Sequence, residues 1–538
     1  MPHTLARSLP RPLPALAPAA AYVAFVCVYA VIYAPYGVNE TDSGFLSGLA
    51  WRVLQGQALY ADTLYIRPPL SVWLRALEMQ LLPHESGLLW ERMLFFAKTG
   101  LYAWICAALL SEAGMRRWAL ALLGFVVGVH CAPPGAWYTT DGILLGAIGF
   151  GLLKKEWQIA AGLCIGLAML CKQSFYPAFG LLIWASAWQG GARGAGMSAL
   201  GAAIPLGALY VYLHQNGLWP VFWEMNSGTA SAGTAWEYGF RSFAQIDPRL
   251  LAITAAFALS FGLAYRKRPA LAWMLWAAWV AALMVSYTYT VWQRGEFTLP
   301  FSQTRLLFIG ASVRAVLLFF QKKTHPPPML LPLLGLSWCA AISAGYNLPV
   351  LLATPWIWVM AETGRHLTDR MPVGLLRNAA GKWAWATALV GCIAIFRLGY
   401  EYGYRDGRRA EMSADLGAYF PAMRGIRTTP ERAELYRELK ALSAEFPRFA
   451  VLPYFSLAHW ITRSQPFLPC DWTNVFETNG MYHLFDETLE RDRPTIFFEK
   501  KYAPTLPNDP KLIWAKATLQ RMTLVRETPH WQAYQLPE

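Results

Sequence analysis

Two carboxylates separated by one residue, Glu40-Thr41-Asp42, follow directly on the first long apolar stretch of the chain. Acids in that position face chemistry at a bilayer surface, where a carboxylate within hydrogen-bond reach of a hydroxyl raises its nucleophilicity. Residues that could act beside them are Arg67 in Tyr65-Ile66-Arg67-Pro68-Pro69, Lys172 in Cys171-Lys172-Gln173-Ser174, Lys98, Arg305, and a further acid, Asp141, in Trp137-Tyr138-Thr139-Thr140-Asp141-Gly142. A cation set near an acid suits a step in which a proton leaves one oxygen while negative charge develops on another.

The elements that must position these residues are apolar helices. The 538 residues are 55% hydrophobic and only 15% charged, too apolar for an ordinary soluble protein. A spanning helix needs about 20 mostly apolar residues, because backbone polar groups must be satisfied inside lipid. Stretches of that kind are expected at 17–36, 91–111, 118–133, 139–154, 156–172, 175–190, 197–214, 249–265, 270–291, 303–321, 328–345, 347–361 and 383–399. They define an α-helical polytopic membrane protein of about 13 spans.

The formal charge of +13 is not spread over one face, as a nucleic-acid binder would need. It lies in short clusters in every second loop: Arg7 and Arg11, Arg116-Arg117, Lys154-Lys155, Arg193, Arg266-Lys267-Arg268, Lys322-Lys323, and Arg365, Arg370, Arg377 and Lys382. That alternation is an orientation signal. It predicts a cytoplasmic N-terminus on an uncleaved anchor, a C-terminal tail outside, far-side loops and junctions that carry Glu40, Asp42, Arg67 and Lys172, and spans that open at that same surface with Asp141 and Arg305. Lys98 falls several residues into the second span, where a charge usually faces the bundle interior. The eight Cys contain no CxxC pair and the nine His are scattered, so no disulfide framework and no metal site is encoded.

Two units follow: a membrane domain over 1–400, with a first far-side loop at about 37–90, and a small extracytoplasmic α/β domain over 401–538. In the second, Thr429 reads as a helix cap with Pro430 at the first position and Glu431 in the first turn, and Leu435, Leu439, Leu442 and Phe446 recur at helical spacing. Phe449-Ala450-Val451-Leu452 and Thr495-Ile496-Phe497-Phe498 read as buried strands.

The first loop runs Asn39-Glu40-Thr41-Asp42-Ser43-Gly44-Phe45, then Gly56-Gln57-Ala58-Leu59-Tyr60-Ala61-Asp62, then Tyr65-Ile66-Arg67-Pro68-Pro69-Leu70. This succession, with an acidic pair after the first span, a Gly-x-x-x-Tyr-x-Asp turn and a Pro-Pro before another helix, resembles the GT-C superfamily of polyprenyl-phosphate-sugar-dependent glycosyltransferases. Within it the likeness is to the branch of bacterial lipid A sugar transferases and protein O-mannosyltransferases. The resemblance covers the chain to about residue 400 and implies a transferase of the bacterial inner membrane. Its donor would be a polyprenyl-phosphate-linked sugar and its acceptor a glycan, a lipid such as lipid A, or a protein. It further implies Asp42 as general base, Glu40 orienting it or raising its pKa by like-charge repulsion, and inversion by direct displacement. Lys172 and Arg67 would grip the leaving phosphate, with Lys98 and Arg305 behind them, and Asp141 would hold acceptor or sugar. Many members have adjacent acids; here Thr41 intervenes, which leaves both carboxylates as candidates for the base. Some members use a divalent metal and others do not; with no added ligand cluster, no cofactor is expected and a metal is not indicated.

Plainer readings stand beside each of these. Asp42 and Asp141 can be helix caps, Lys172 can snorkel to the interface, Arg67 can be a solvated loop residue, Lys98 can sit in a structural ion pair, and Arg305 can anchor at the interface. A polytopic lipid or solute transporter is the alternative function, although no inverted repeat is visible.

Overall fold

The computed structural model describes residues 16–130, 134–228, 232–265, 267–294, 301–320, 326–343, 347–371, 374, 390–391, 393–403 and 406–538. Arg7, Arg11, Arg266, Lys322, Lys323, Arg377, Lys382 and the first part of the expected last span lie outside these residues. Each other expected span contains a helix. In chain order the first helices are α1 (Leu16–Tyr33), then α2 (Asp42–Leu54) and α3 (Leu70–Leu81) within loop one, then α4 (Gly87–Leu110), α5 (Met115–Val129), α6 (Tyr138–Lys154), α7 (Gln158–Met169) and α8 (Tyr176–Gln215). Helices Trp219–Ser227, Pro248–Tyr265, Pro269–Arg294, Phe301–Phe320, Leu330–Ala341 and Thr354–Asp369 follow.

Helix α8 merges two expected spans. Its backbone leaves the helical region at Gly190 and at Gly191, where φ is 61°, a conformation suited to glycine. The Ser186 and Ser198 hydroxyls then meet at 2.8 Å, so the two halves fold back against each other.

Among the described residues, five helices are long and apolar enough to cross a membrane by length and composition: Gly87–Leu110, Gln173–Gln215, Pro248–Tyr265, Pro269–Thr290 and Phe301–Phe320. Others expected as spans are shorter. Gln158–Met169 and Leu330–Ala341 have 12 residues each, which at 1.5 Å per residue is roughly 18 Å against a hydrocarbon core of about 30 Å.

The alternate loops separate to opposite ends of the bundle. At one end Arg116 pairs with Glu362, Lys154 donates to the Leu109 carbonyl and Arg370 to that of Tyr265. At the other, the Leu70 amide donates to the Leu170 carbonyl, Lys172 to Ile342, and Gln173 to Asn226, while Asn347 reaches Ser242. This second end carries loop one and the C-terminal region.

In that region Thr429 caps helix Pro430–Glu445, accepting from the Arg432 amide, and Pro430 stands in its first turn. Strands Phe449–Leu452 and Thr495–Glu499 pair in parallel; the hairpin Thr523–Glu527 with Trp531–Gln535 completes a four-stranded sheet through Trp531–Gln535. Strands Phe449–Leu452 and Thr495–Glu499 are buried throughout because the sheet is covered on two faces. Phe449, Val451 and Phe497 pack with Leu435, Leu439 and Leu442 of the capped helix, whereas Ala450, Leu452, Ile496 and Phe498 pack with Phe485, Leu489 and Trp514.

Loop one shares both of these cores. Phe45, Leu46 and Leu49 from one face of α2 enter the second, and Val38 and Trp51 the first. Gly44 and Gly48 lie where a Cβ would strike Leu457 and the Ser456 carbonyl, so glycine lets α2 approach the C-terminal region closely. Loop one and residues 406–538 therefore fold against each other.

Candidate active site

The N-terminus of α2 is shaped by Asn39. Its Oδ1 accepts from the Thr41 and Asp42 amides at 3.2 and 3.1 Å and from the Thr41 hydroxyl at 2.8 Å. Its Nδ2 donates to Asp42 Oδ2 at 3.2 Å. An Asn three residues before a helix start can satisfy the exposed amides there, and here it also holds the Asp42 carboxylate. Thr41, not Asp42, occupies the cap position, and no side chain caps the helix in the usual way.

Glu40 points elsewhere. It is buried and takes Arg432 Nη2 at 2.5 Å on both oxygens and the Tyr436 hydroxyl at 2.7 Å. Burial opposes its ionisation, but Arg432, Lys501 and the Tyr436 hydroxyl outweigh burial and hold its carboxyl below the ordinary range. The expectation that Glu40 orients Asp42 is therefore replaced by a brace between loop one and helix Pro430–Glu445, with Asn39 contacting Asp42.

Arg67 and Lys172 meet across one aromatic ring. The Arg67 guanidinium lies 4.6 Å from the centroid of the Tyr138 ring and Lys172 Nζ lies 5.5 Å from it. Asp42 is near enough for its charge to act on the Tyr138 phenol. Three separate segments make this arrangement: the Pro68-Pro69 turn fixes Arg67 ahead of α3, Tyr138 starts α6, and Lys172 stands in the turn between α7 and α8.

The two cations differ in their partners. Arg67 donates through Nη1 and Nη2 to the two carboxylate oxygens of Glu477, each at 2.6 Å. Lys172 is buried, 8% exposed, and donates to the Ile342 carbonyl at 2.8 Å. Burial, and then the Arg67 charge, lower its pKa to about 7. Two cations thus lie beside one ring, an arrangement suited to holding an anion with more than one charge.

Lys98 and Asp141 form a second, adjoining cluster. Lys98 Nζ sits between Glu78 at 2.7 Å and Asp141 at 2.6 Å, while Arg75 bridges Glu78 at 3.3 Å and Glu91 at 2.6 Å. Glu91 also accepts from the Ser47 hydroxyl at 2.5 Å and the Ala136 amide at 2.8 Å. Both Asp141 and Lys98 lie within electrostatic reach of Cys171, the neighbour of Lys172. Asp141 is not an N-cap, since Trp137 occupies that position. Arg305 is placed apart: it donates to the Gln245 carbonyl at 3.0 Å and packs on Phe243 and Phe301. Among the described residues, no group of three or more His, Cys, Asp or Glu is placed to hold a metal ion.

The chain is similar to two solved structures. One is ArnT from Cupriavidus metallidurans bound to undecaprenyl phosphate, at 14% identity over 97% of this chain and 97% of that one, with a TM-score of 0.42. The other is the archaeal oligosaccharyltransferase AglB from Archaeoglobus fulgidus, in complex with an inhibitory peptide and a dolichol-phosphate, at 12% identity over 90% of this chain and 70% of that one, with a TM-score of 0.46. No family model and no curated protein matches the chain.

Tyr138, Asn39 and Glu477 were not among the residues singled out for chemistry. Asn39 had a local signal, an Asn shortly before a helix start. Tyr138 stood in the same stretch as Asp141, marked only by its place at the start of a helix. Glu477 had none, because 410 residues separate it from Arg67.

Proposed function

We propose that the chain is a GT-C-type membrane glycosyltransferase that moves a sugar from a polyprenyl-phosphate donor to a hydroxyl acceptor at the membrane surface. The observation that carries this reading is the convergence of Arg67 and Lys172 on the Tyr138 ring, within reach of Asp42. Asp42 takes the acceptor's proton, the acceptor oxygen forms its bond to the anomeric carbon, and the bond from that carbon to the phosphate oxygen breaks. The electron pair leaves on the polyprenyl phosphate, whose growing charge is met by Arg67 and Lys172. Displacement by a single nucleophile inverts the anomeric centre. A positioned base contributes roughly 10²–10⁴ in rate, and removing one charge-stabilising donor typically costs about 10²–10³.

Two features support Arg67 and Lys172 as the phosphate grip over the other cations. Lys98 is already between two carboxylates, and Arg305 packs against Gln245. The acceptor would be a cell-envelope glycan, a lipid such as lipid A, or a protein, and the location the bacterial inner membrane with this end of the bundle outside.

The test is purified protein with synthetic polyprenyl-phosphate sugars, following release of free polyprenyl phosphate. Wild type should release it in an acceptor-dependent way and Asp42→Asn should not, while eluting as a folded protein in detergent. Full activity in Asp42→Asn would eliminate Asp42 as base. Movement of labelled lipid across vesicles with no release would replace the transferase by a transporter.

A further inference from the structure

A second set of cations lies near Asn39, which also contacts Asp42. A cavity of about 60 Å³ is lined by Asn39, Arg92, Arg409, Tyr36, Tyr400 and His130, among others. It forms where helices leave the apolar layer together: α1 ends at Tyr33, α5 at Val129, and the helix over 393–401 passes Tyr400. That level is where lipid headgroups stand.

Arg409 is clasped between the rings of Tyr36 and Tyr400, with centroids at 3.7 and 3.9 Å, and donates to the Ile32 carbonyl at 2.7 Å. Arg92 is 2% exposed, donates to the carbonyls of Ala34, Tyr36 and Gly37, and its Nε has no hydrogen-bond partner among the described residues. Among the described residues neither forms an ion pair. Glu91, Asp406 and Glu40 lie within electrostatic reach of Arg92, but each is held elsewhere: Glu91 by Arg75 and Ser47, Asp406 by the Val38 amide, Thr428 and Arg432, and Glu40 by Arg432 and Tyr436. A buried cation that makes no ion pair of its own is costly, so an anion entering this cavity would stabilise Arg92. Its volume admits about four to six water-sized groups at ~10–15 Å³ each, enough for a phosphate and too little for a sugar ring.

We infer that this cavity binds the phosphate of an anionic membrane lipid, with Arg92 and Arg409 as its donors and the acyl chains lying outside against the ends of α1 and α5. Sharing Asn39 with the α2 N-terminus sets the bound headgroup beside Asp42. Aromatic faces on Arg409 hold its guanidinium flat, which leaves its remaining N–H groups in a fixed plane for phosphate oxygens. The site requires no glycosyl transfer and stands or falls separately from that reaction.

The experiment is native mass spectrometry of the full chain in detergent micelles, titrated with phosphatidic acid or with diacylglycerol of the same acyl chains. Wild type should retain phosphatidic acid and not diacylglycerol. Arg409→Gln should weaken retention at least tenfold, and Arg409→Lys, which keeps the charge, should lose less. Inorganic phosphate at millimolar concentration should fail to displace the lipid. Equal retention of the two lipids, or no change in Arg409→Gln, overturns the inference. Displacement by inorganic phosphate alone also overturns it, and makes the cavity a site for the free ion.

Discussion

Replacing Glu477 by Gln should tighten donor binding. In the resting protein the Arg67 guanidinium is spent on Glu477 through two parallel hydrogen bonds of 2.6 Å, so a donor phosphate that uses Arg67 has to displace this carboxylate. A hydrogen bond to a charged group contributes about 1.5–3 kcal/mol net. Gln keeps the shape and one acceptor oxygen but not the charge, and removing about one such contribution from the competition corresponds to roughly 10- to 100-fold in affinity, at 1.4 kcal/mol per tenfold. Docking of the C-terminal region should survive, because Glu40 with Arg432 and Arg52 with Asp471 remain as independent ties. In the polyprenyl-phosphate release assay, Glu477→Gln should lower the donor KM about tenfold or more. Arg67→Gln should lower kcat/KM by about 10²–10³, and the double variant should behave as Arg67→Gln. The reasoning is refuted if Glu477→Gln raises the donor KM, with both single variants losing equal amounts of Tm; the pair would then be only a brace.

Lys172 should make donor binding pH-dependent. With burial and the Arg67 charge lowering its pKa to about 7, it is charged below that pH and neutral above, so the donor KM should climb as pH rises from 7 to 9, while Lys172→Arg, charged throughout, should stay flat; an equal climb in Lys172→Arg would exclude Lys172 as its source. Asn39→Ala removes the acceptor for the Thr41 and Asp42 amides and the contact to Asp42, and should lower kcat with little change in donor KM; a change confined to KM would count against its role. Glu91→Gln strips the charge from a buried carboxylate held by Ser47, Arg75 and Ala136. It should cost about 3–5 kcal/mol, read as a fall in thermal unfolding temperature in detergent, and a loss under about 1 kcal/mol would show that the pair is solvated.

What the sequence revealed and what it hid divide along chain separation. The helices, the cap at Thr429 and the two buried strands are local: apolar runs, a Thr-Pro-Glu start and short β-rich stretches decide them within a few residues. The clustering of Asp42, Arg67 and Lys172 at one end was legible too, because alternate loops must share a side. Partners were not. Glu40 looked like a companion to Asp42 two residues away, yet its acid is taken by Arg432, 392 residues on. Lys98 and Asp141 looked like separate site residues and proved to be two members of one ion-pair network whose remaining members, Arg75, Glu78 and Glu91, carried no pattern that sets them apart from ordinary helix charges. Periodicity reports which face of a helix is buried, but not which charge on another element will meet it.

The same long-range pairs give the C-terminal region a part in the reaction proposed for loop one. Glu40, Arg52 and Arg67 come from loop one in chain order, and their partners Arg432, Asp471 and Glu477 follow in the same order. The first pair stands two residues from Asp42, and the third uses the arginine that faces Tyr138. Helix Val475–Thr478, which carries Glu477, is followed by Asn479, whose amide donates to the Glu224 carbonyl at 3.3 Å. Gln173, next to Lys172, donates to Asn226 on the same Trp219–Ser227 helix at 2.8 Å. Releasing Glu477 from Arg67 therefore loosens one of the ties between the 475–479 segment and the loops around Lys172. Donor binding at Arg67 and the seating of that segment are linked by the Arg67–Glu477 contact, so a variant that weakens the contact at Asn479, such as Asn479→Ala, should shift donor KM in the same direction as Glu477→Gln but by less. A shift in the opposite direction would mean that the segment supports the phosphate site instead of competing with its occupant.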